Sequence, residues 1–296
     1  MLKRFSLNKI FKMSLFILVL FLFSIYPKNT KYNLEIKRVN GNNYHDIFLI
    51  DKNNYVSKTT IAVSSIEKEK LAYDLVTSLI VDGKNKSKIP NNFKAIIPKG
   101  TKIEKISIEN KYLTISFDEN ILKTNNKEKM IEAIVYTLTS IKNITNVRIL
   151  VNQKENEFFK SEYTREIGIN KEYKLSSLND INNITIYYVS SINDNNYYIP
   201  VTKYINSKDD KIKVIIDELA SKSSYQSNLM SYLNYDTKLI NYNLEDNELS
   251  LYFNDAIINS ADDKILEEVR YSISYSIKDS ISVDNIHFFV NDKEFK

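Results

Sequence analysis

A chain of 296 residues, 43% hydrophobic and 26% charged, has room for two domains that each bury a core, and is too apolar to be disordered throughout. Its net charge of +4 is accounted for by Lys3, Arg4, Lys9 and Lys12, because residues 1–27 contain no acid; the neutral remainder has little electrostatic drive toward phosphate backbones, and no nucleic-acid partner is expected. With no cysteine, the chain has no disulfide, no thiolate metal site, no cysteine nucleophile and no lipidated N-terminal cysteine.

From Met13 to Tyr26 the sequence reads MSLFILVLFLFSIY, uncharged behind four basic residues. A basic flank followed by an apolar run at the extreme terminus reads as an export signal rather than a core helix. The run is shorter than the ~20 residues that span a bilayer comfortably. Ile10 and Phe11, with Lys12 snorkelling, lengthen it toward a workable anchor. Ser24-Ile25-Tyr26-Pro27 offers no small-x-small cleavage site, which favours an uncleaved signal anchor over a removed signal peptide. Positive residues remain cytoplasmic, so everything after Pro27 is expected outside the cytoplasm. The expectation is a cell-membrane protein with one N-terminal anchor over 1–27 and extracytoplasmic domains, secreted if the signal is cleaved.

A polar connector over 28–44 leads to a first module over 45–155. Ile47-Phe48-Leu49-Ile50 reads as a strand with 55–63 as its extended partner. Leu71, Leu75, Val76 and Leu79 fall at helical spacing over 67–81, and Asp82-Gly83 closes that helix. Pro98-Lys99-Gly100 leads into a hairpin in which Ile106 and Ile108, then Leu113, Ile115 and Phe117, share one face across an Asn110-Lys111 turn. A second helix over 127–141 buries Met130, Ile134, Leu138 and Ile141, and Val147, Ile149 and Val151 alternate in a closing strand.

A connector over 156–180, expected to pack along one module as an extended strand, precedes a second module over 181–296. That module replays the order. Strands over 184–189 and 197–204 precede a helix marked by Ile212, Ile215, Ile216 and Leu219. The stretch 101–122, TKIEKISIENKYLTISFDENIL, then returns without a gap as 237–258, TKLINYNLEDNELSLYFNDAII. A helix carrying Ile265, Val269, Ile273 and Ile277 and a strand with Ile286, Phe288 and Val290 complete it. A repeat of this size is a duplicated domain. Ser64 with Glu67, Ser207 with Asp210, Ser260 with Asp263 and Asn125 with Glu128 have capping-box spacing at the four helix starts. The expected fold class is α+β, two tandem β(β)αββαβ modules of the split-βαβ type after an N-terminal hydrophobic helix.

Several pieces of 71–151 resemble a known family. They are the first helix with Asp82-Gly83, the lead-in Ile97-Pro98-Lys99-Gly100-Thr101 and the hairpin end Ile115-Ser116-Phe117-Asp118. The helix motif Val135-Tyr136-Thr137-Leu138-Thr139 and the strand Asn146-Val147-Arg148-Ile149 complete the set. Together these resemble a GerMN domain, the module of sporulation and germination proteins. Residues 219–292 are similar but more worn: Asp236-Thr237 lacks the Pro and Gly, and no Tyr-Thr-Leu motif is evident. The resemblance implies a ring-building-motif-like module in a non-catalytic, membrane-attached protein of the channel complex between mother cell and forespore. The best-known relatives carry a lipobox cysteine. This chain does not, so attachment rests on the apolar segment.

No catalytic, cofactor-binding or metal residue is expected, and no cofactor. His45 and His287 lie in different modules, without HExxH-like spacing. Asp118-Glu119 and Asn254-Asp255 sit at equivalent hairpin ends and read as turn or helix-entry residues, since adjacent carboxylates on a strand point apart. Asp209-Asp210, Asp262-Asp263 and Glu267-Glu268 read as first-turn acids. Tyr187, Tyr188, Tyr197 and Tyr198 suit either core packing or an exposed edge-strand surface. The leading expectation is a binding and assembly protein engaging envelope or sporulation-channel proteins, with homo-oligomers possible. The alternatives are an envelope enzyme or enzyme accessory acting on wall polymer, and a small-ligand sensor.

Overall fold

The computed structural model of the protein describes residues 44–171, 181–192, 195–221, 229–261 and 263–295. The expected anchor and most of the polar connector lie outside the described residues. Among the described residues no helix is long and apolar enough to cross a membrane.

The fold is α+β. β1 (Tyr44–Asp51) and β2 (Val56–Ala62) form an antiparallel hairpin, followed by α1 (Lys68–Leu79) and the short β3 (Phe93–Lys94). The hairpin β4 (Ile103–Glu109) and β5 (Tyr112–Phe117), then α2 (Lys127–Leu138) and β6 (Asn146–Val151), complete the first round. The order recurs as β7 (Ile181–Ile192), β8 (Asn195–Asn206), α3 (Lys211–Ala220), β9 (Leu239–Glu245), β10 (Glu248–Phe253), α4 (Glu267–Ser280) and β11 (Asn285–Val290). A final strand, β12 (Lys293–Phe295), extends the second sheet; with three residues, two of them charged, it carries no readable alternation.

Each repeated hairpin gains a parallel neighbour after a helical crossover, as parallel pairing requires. Leu113, Ile115 and Phe117 lie beside Val147, Ile149 and Val151; Leu249, Leu251 and Phe253 lie beside Ile286, Phe288 and Val290. Neither hairpin turn has glycine, yet Asn110 (φ 56°), Asp246 (φ 49°) and Asn247 (φ 65°) take left-handed backbone that Asn and Asp tolerate. The expected helix stripes are buried. Leu71, Leu75, Val76 and Leu79 share one core with Leu113, Ile115 and Phe117, while Ile212, Ile215, Ile216 and Leu219 share another with Leu249, Leu251 and Phe253.

The two opening hairpins join. β2 pairs antiparallel with β8 at Lys58 and Tyr198, giving one five-stranded sheet in the order β3-β1-β2-β8-β7. β8 is therefore an interior strand, and Tyr187 and Tyr188 are buried, so of the two readings of these tyrosines core packing holds for this pair.

α2 packs along β1 and α4 along β7. Thr137 Oγ1 accepts from the Phe48 N–H at 3.0 Å, and Ser276 Oγ accepts from the Tyr187 N–H at 2.8 Å. A helix hydroxyl thus satisfies a strand-edge donor that would otherwise be buried and unpaired. The two devices are equivalent, so Tyr275-Ser276-Ile277 is the second module's counterpart of Tyr136-Thr137-Leu138, which the sequence reading held to be absent. α2 is buried around most of its circumference, with Ala133 and Tyr136 packed against Phe48, Ile50, Val56 and Ile169. Thr137→Val, which keeps the shape and removes the acceptor, is expected to cost about 1–2 kcal/mol, and Ser276→Ala about the same. Urea unfolding checks both; no shift in midpoint for either would sink the edge-covering account.

None of the four expected capping boxes forms. α1 begins after Glu67 without a side-chain cap, and α4 begins after Leu266, leaving Ser260 and Asp263 outside it. Asp210 is itself the cap of α3, accepting from Ile212 N–H and Lys213 N–H, and Asn126 rather than Asn125 caps α2. A cap needs one oxygen near two or three exposed N–H groups. An acid at the boundary supplies it directly, without the serine three residues earlier. The connector also departs from expectation. Tyr163 makes a single two-way bridge to Val147, a short 3-10 turn follows at Arg165–Ile167, and Ile169 bonds with Thr202. Instead of lining one module as a strand, it threads between both; residues 172–180 lie outside the described residues.

Candidate functional site

A cleft of about 600 Å³ opens where the modules meet, lined by residues of β1, β2, β7 and α4, of the turn after α2 and of the connector. Arg165, carried by the 3-10 turn, organises it. Its guanidinium lies 4.8 Å from the Tyr136 ring centre and 5.8 Å from that of Phe48, donates from Nε to Thr139 Oγ1 at 2.9 Å, and ion-pairs with Asp279 of α4. A planar cation can stack and donate in its own plane at once, which a lysine cannot. Asp279 also accepts from the Tyr187 hydroxyl at 2.7 Å. Beside it, Lys58 pairs with Asp46 at 2.9 Å and sits 3.6 Å over the Tyr275 ring.

Burial pulls the Lys58 ammonium below its ordinary range, opposed by the attraction of Asp46. Burial pushes the Tyr136 and Tyr275 phenols up to about 12, and that of Tyr187 upward as well. These hydroxyls stay protonated near neutrality and serve as donors rather than bases. The acids at the back of the cleft are neutralised by cations, so the cleft behaves as an internal joint between modules.

Asn170, at φ 45°, completes that joint beside the β2–β8 pairing. Its Oδ1 accepts from the Val56 N–H at 2.9 Å, while its Nδ2 donates to Val56 O and Pro200 O, each at 2.8 Å. One side-chain amide thereby imitates a stretch of strand. A smaller groove of about 380 Å³ lies between α2 and the connector, lined by Ile131, Phe158, Tyr163 and Ile167, with Glu132 among its walls. Burial raises the Glu132 carboxyl to about 7, against the Asn170 N–H that donates to it at 3.1 Å and the Lys171 charge nearby. With the folded value above the unfolded one, Glu132 disfavours the fold increasingly as pH rises from about 4.5 through 7. Glu132→Gln is therefore expected to stabilise the protein by about 2 kcal/mol at pH 8 and to have little effect at pH 5. Thermal melts at the two pH values decide it; an equal shift at both would refute the assignment.

Of the residues singled out in the sequence, Tyr187 lines the cleft, while the hairpin-end acids and the two histidines lie apart from it. Asp118 Oδ1 accepts from Lys102 N–H at 3.0 Å, and Asn254 Oδ1 accepts from Lys238 N–H at 2.9 Å. They tie the hairpin end to its lead-in, in the turn role their repetition suggested. His287 lies on the outer face of β11, with Nδ1 2.8 Å from Glu294 and Nε2 3.0 Å from Glu248; both hydrogen bonds raise its pKa. His45 lies on β1 opposite Ile61, its Nε2 buried without a hydrogen-bond partner among the described residues. Among the described residues no group of three His, Cys, Asp or Glu is placed to hold a metal ion. Sequence reasoning missed Arg165 and Asn170, which sit in a connector without periodicity. An arginine followed by Gly-Ile-Asn in a lysine-rich chain was the available signal.

Residues 46–157 and 185–296 each match the Germane family of sporulation and spore germination. Over 266 residues the chain is 31% identical to the spore germination protein GerM of Bacillus subtilis (strain 168), covering 84% of this chain and 71% of that protein. It is also similar to a solved structure of the tandem GerMN domains of the sporulation protein GerM from Bacillus subtilis, with a TM-score of 0.76 and 27% identity over 84% of this chain and 91% of that one. Each matched stretch holds one round of the repeated ββαββαβ order. The chain is therefore a member of the Germane family of sporulation and spore germination proteins, with its GerMN domains in tandem.

Proposed function

We propose that this chain is a non-catalytic assembly protein of the sporulating cell envelope, held at the membrane by residues 1–27 and docking proteins of the channel between mother cell and forespore. Family membership supplies the tie to sporulation. The observation that carries the docking role is the junction itself: Arg165, Asp279, Lys58 and Asp46 satisfy one another and fuse two modules through one continuous sheet. Such an arrangement holds two surfaces at a fixed angle, as a scaffold must. An anchor confines the scaffold to the membrane surface, raising the effective concentration of membrane partners.

Affinity purification of the full chain from sporulating cells tests this. Envelope or channel proteins in the eluate are expected, and their absence would count against the docking role. The enzymatic alternative is separated by Asp118→Ala and Asp255→Ala, which are expected to leave wall-polymer turnover in extracts unchanged. Lost turnover with intact folding would favour that alternative instead.

A further inference from the structure

β9 ends the sheet β12-β11-β10-β9, and among the described residues nothing pairs with its outer side. A bare edge is a template for another strand, which proteins ordinarily blunt with charge. The first module does so: β4, the equivalent edge, carries Glu104, Lys105 and Glu109. β9 has Ile240 where β4 has Glu104, and Asn241 where β4 has Lys105. Both strands are irregular at the same place, at Glu104 and at Ile240, so a bulge does not distinguish them. Ile240 is 69% exposed and Leu244 42%.

We propose that this edge binds a second copy of the chain, two β9 strands pairing antiparallel about a two-fold axis at Tyr242. The register argues for it. Glu245 and Glu248 close the two-residue turn, so Glu245 and Asn243 direct their backbone groups at β10 while Leu244 and Tyr242 direct theirs outward. Centring on Tyr242 sets Tyr242 against its own copy and brings Leu244 opposite Ile240, the unpaired residue of the bulge, whose side chain is exposed. That register pairs the exposed apolar side chains twice, sets Lys238 against Asp246 at both ends, and opposes no like charges. The equivalent register about Ile106 of β4 sets the Glu104 carboxylate against Ile108. Pairing at β9 makes one eight-stranded sheet across the two copies. The inference does not rest on the docking role, because self-pairing needs no envelope partner.

The chain has no cysteine, so introduced ones report alone. In the purified full chain in neutral detergent, I240C/L244C is expected to give a disulfide-linked dimer on mild oxidation, with the facing Cα atoms about 5.5 Å apart. I240C or L244C alone is expected to stay unlinked, since each cysteine and its mate then lie about 13 Å apart along the strands. The β4 control E104C/I108C is expected to stay unlinked too. By sedimentation the wild-type chain is expected to be a dimer that I240K, which restores a guarding charge, converts to monomer. Three results would each overturn the proposal: an unlinked double-cysteine variant with native circular dichroism, single variants that cross-link as readily, or a dimer that survives I240K. Should the double variant misfold, the I240K sedimentation result decides alone.

Discussion

Asp279→Ala is expected to lower folding stability by about 3 kcal/mol, read as a lower urea midpoint with an unchanged slope. The side chain of Asp279 is 9% exposed and that of Arg165 27%. Removing the carboxylate leaves a largely desolvated guanidinium stacked on Tyr136 with no counter-charge, and orphans the buried Tyr187 hydroxyl. A fully buried pair broken from one side costs about 3–5 kcal/mol, and the partial exposure of Arg165 sets the expectation at the lower end. Asp279→Asn retains an acceptor for Tyr187 while losing the charge, and is expected to cost roughly half as much. A double-mutant cycle with Arg165→Ala isolates the pair: coupling above about 1 kcal/mol is expected, because the two groups meet directly. Additive single effects would mean that the junction is held by packing alone.

What the sequence displayed, and what it hid, divides along physical lines. Side-chain alternation reports which face of a strand is buried, so Leu113, Ile115 and Phe117 and their repeats Leu249, Leu251 and Phe253 were readable with their partners. Alternation is silent about which edge a strand uses. The β2–β8 pairing rests on backbone groups and on Asn170, so nothing in the pattern of Val56–Ala62 announced it. Tyr275-Ser276 was missed because the motif was matched by letter, whereas a hydroxyl at that turn of the helix is what the Tyr187 N–H requires. Capping failed for a different reason: Ser, Asn, Asp and Glu are so dense here that pairs at the right spacing occur where no helix begins, as at Ser260 and Asp263. At the junction, Arg165 and Asp279 are far apart in sequence, and no local pattern brings them together.

Asn170→Ala carries the second large expected effect, about 3 kcal/mol of stability. Three hydrogen bonds go at once, from the Val56 N–H and to the carbonyls of Val56 and Pro200, in a place where strand pairing leaves those groups no substitute. Alanine also fits poorly at φ 45°, a conformation that costs an ordinary residue about 1 kcal/mol and asparagine less. Asn170→Gly separates the two causes: glycine relieves the backbone strain without restoring the amide, so it is expected to recover about 1 kcal/mol of the loss and no more. Asn170→Asp tests the electrostatics of the same site. It keeps the acceptor for Val56, forfeits both donors, and places a carboxylate beside Glu132, whose Oε2 already receives the residue 170 N–H. Like charges that close disfavour joint ionisation, so Asn170→Asp is expected to push the Glu132 titration higher and to be more damaging at pH 8 than at pH 5. If alanine, glycine and aspartate at this position all unfold at the wild-type urea midpoint, the amide does not hold β2 to β8, and the union of the two modules must be attributed to Arg165 and the side chains packed around it.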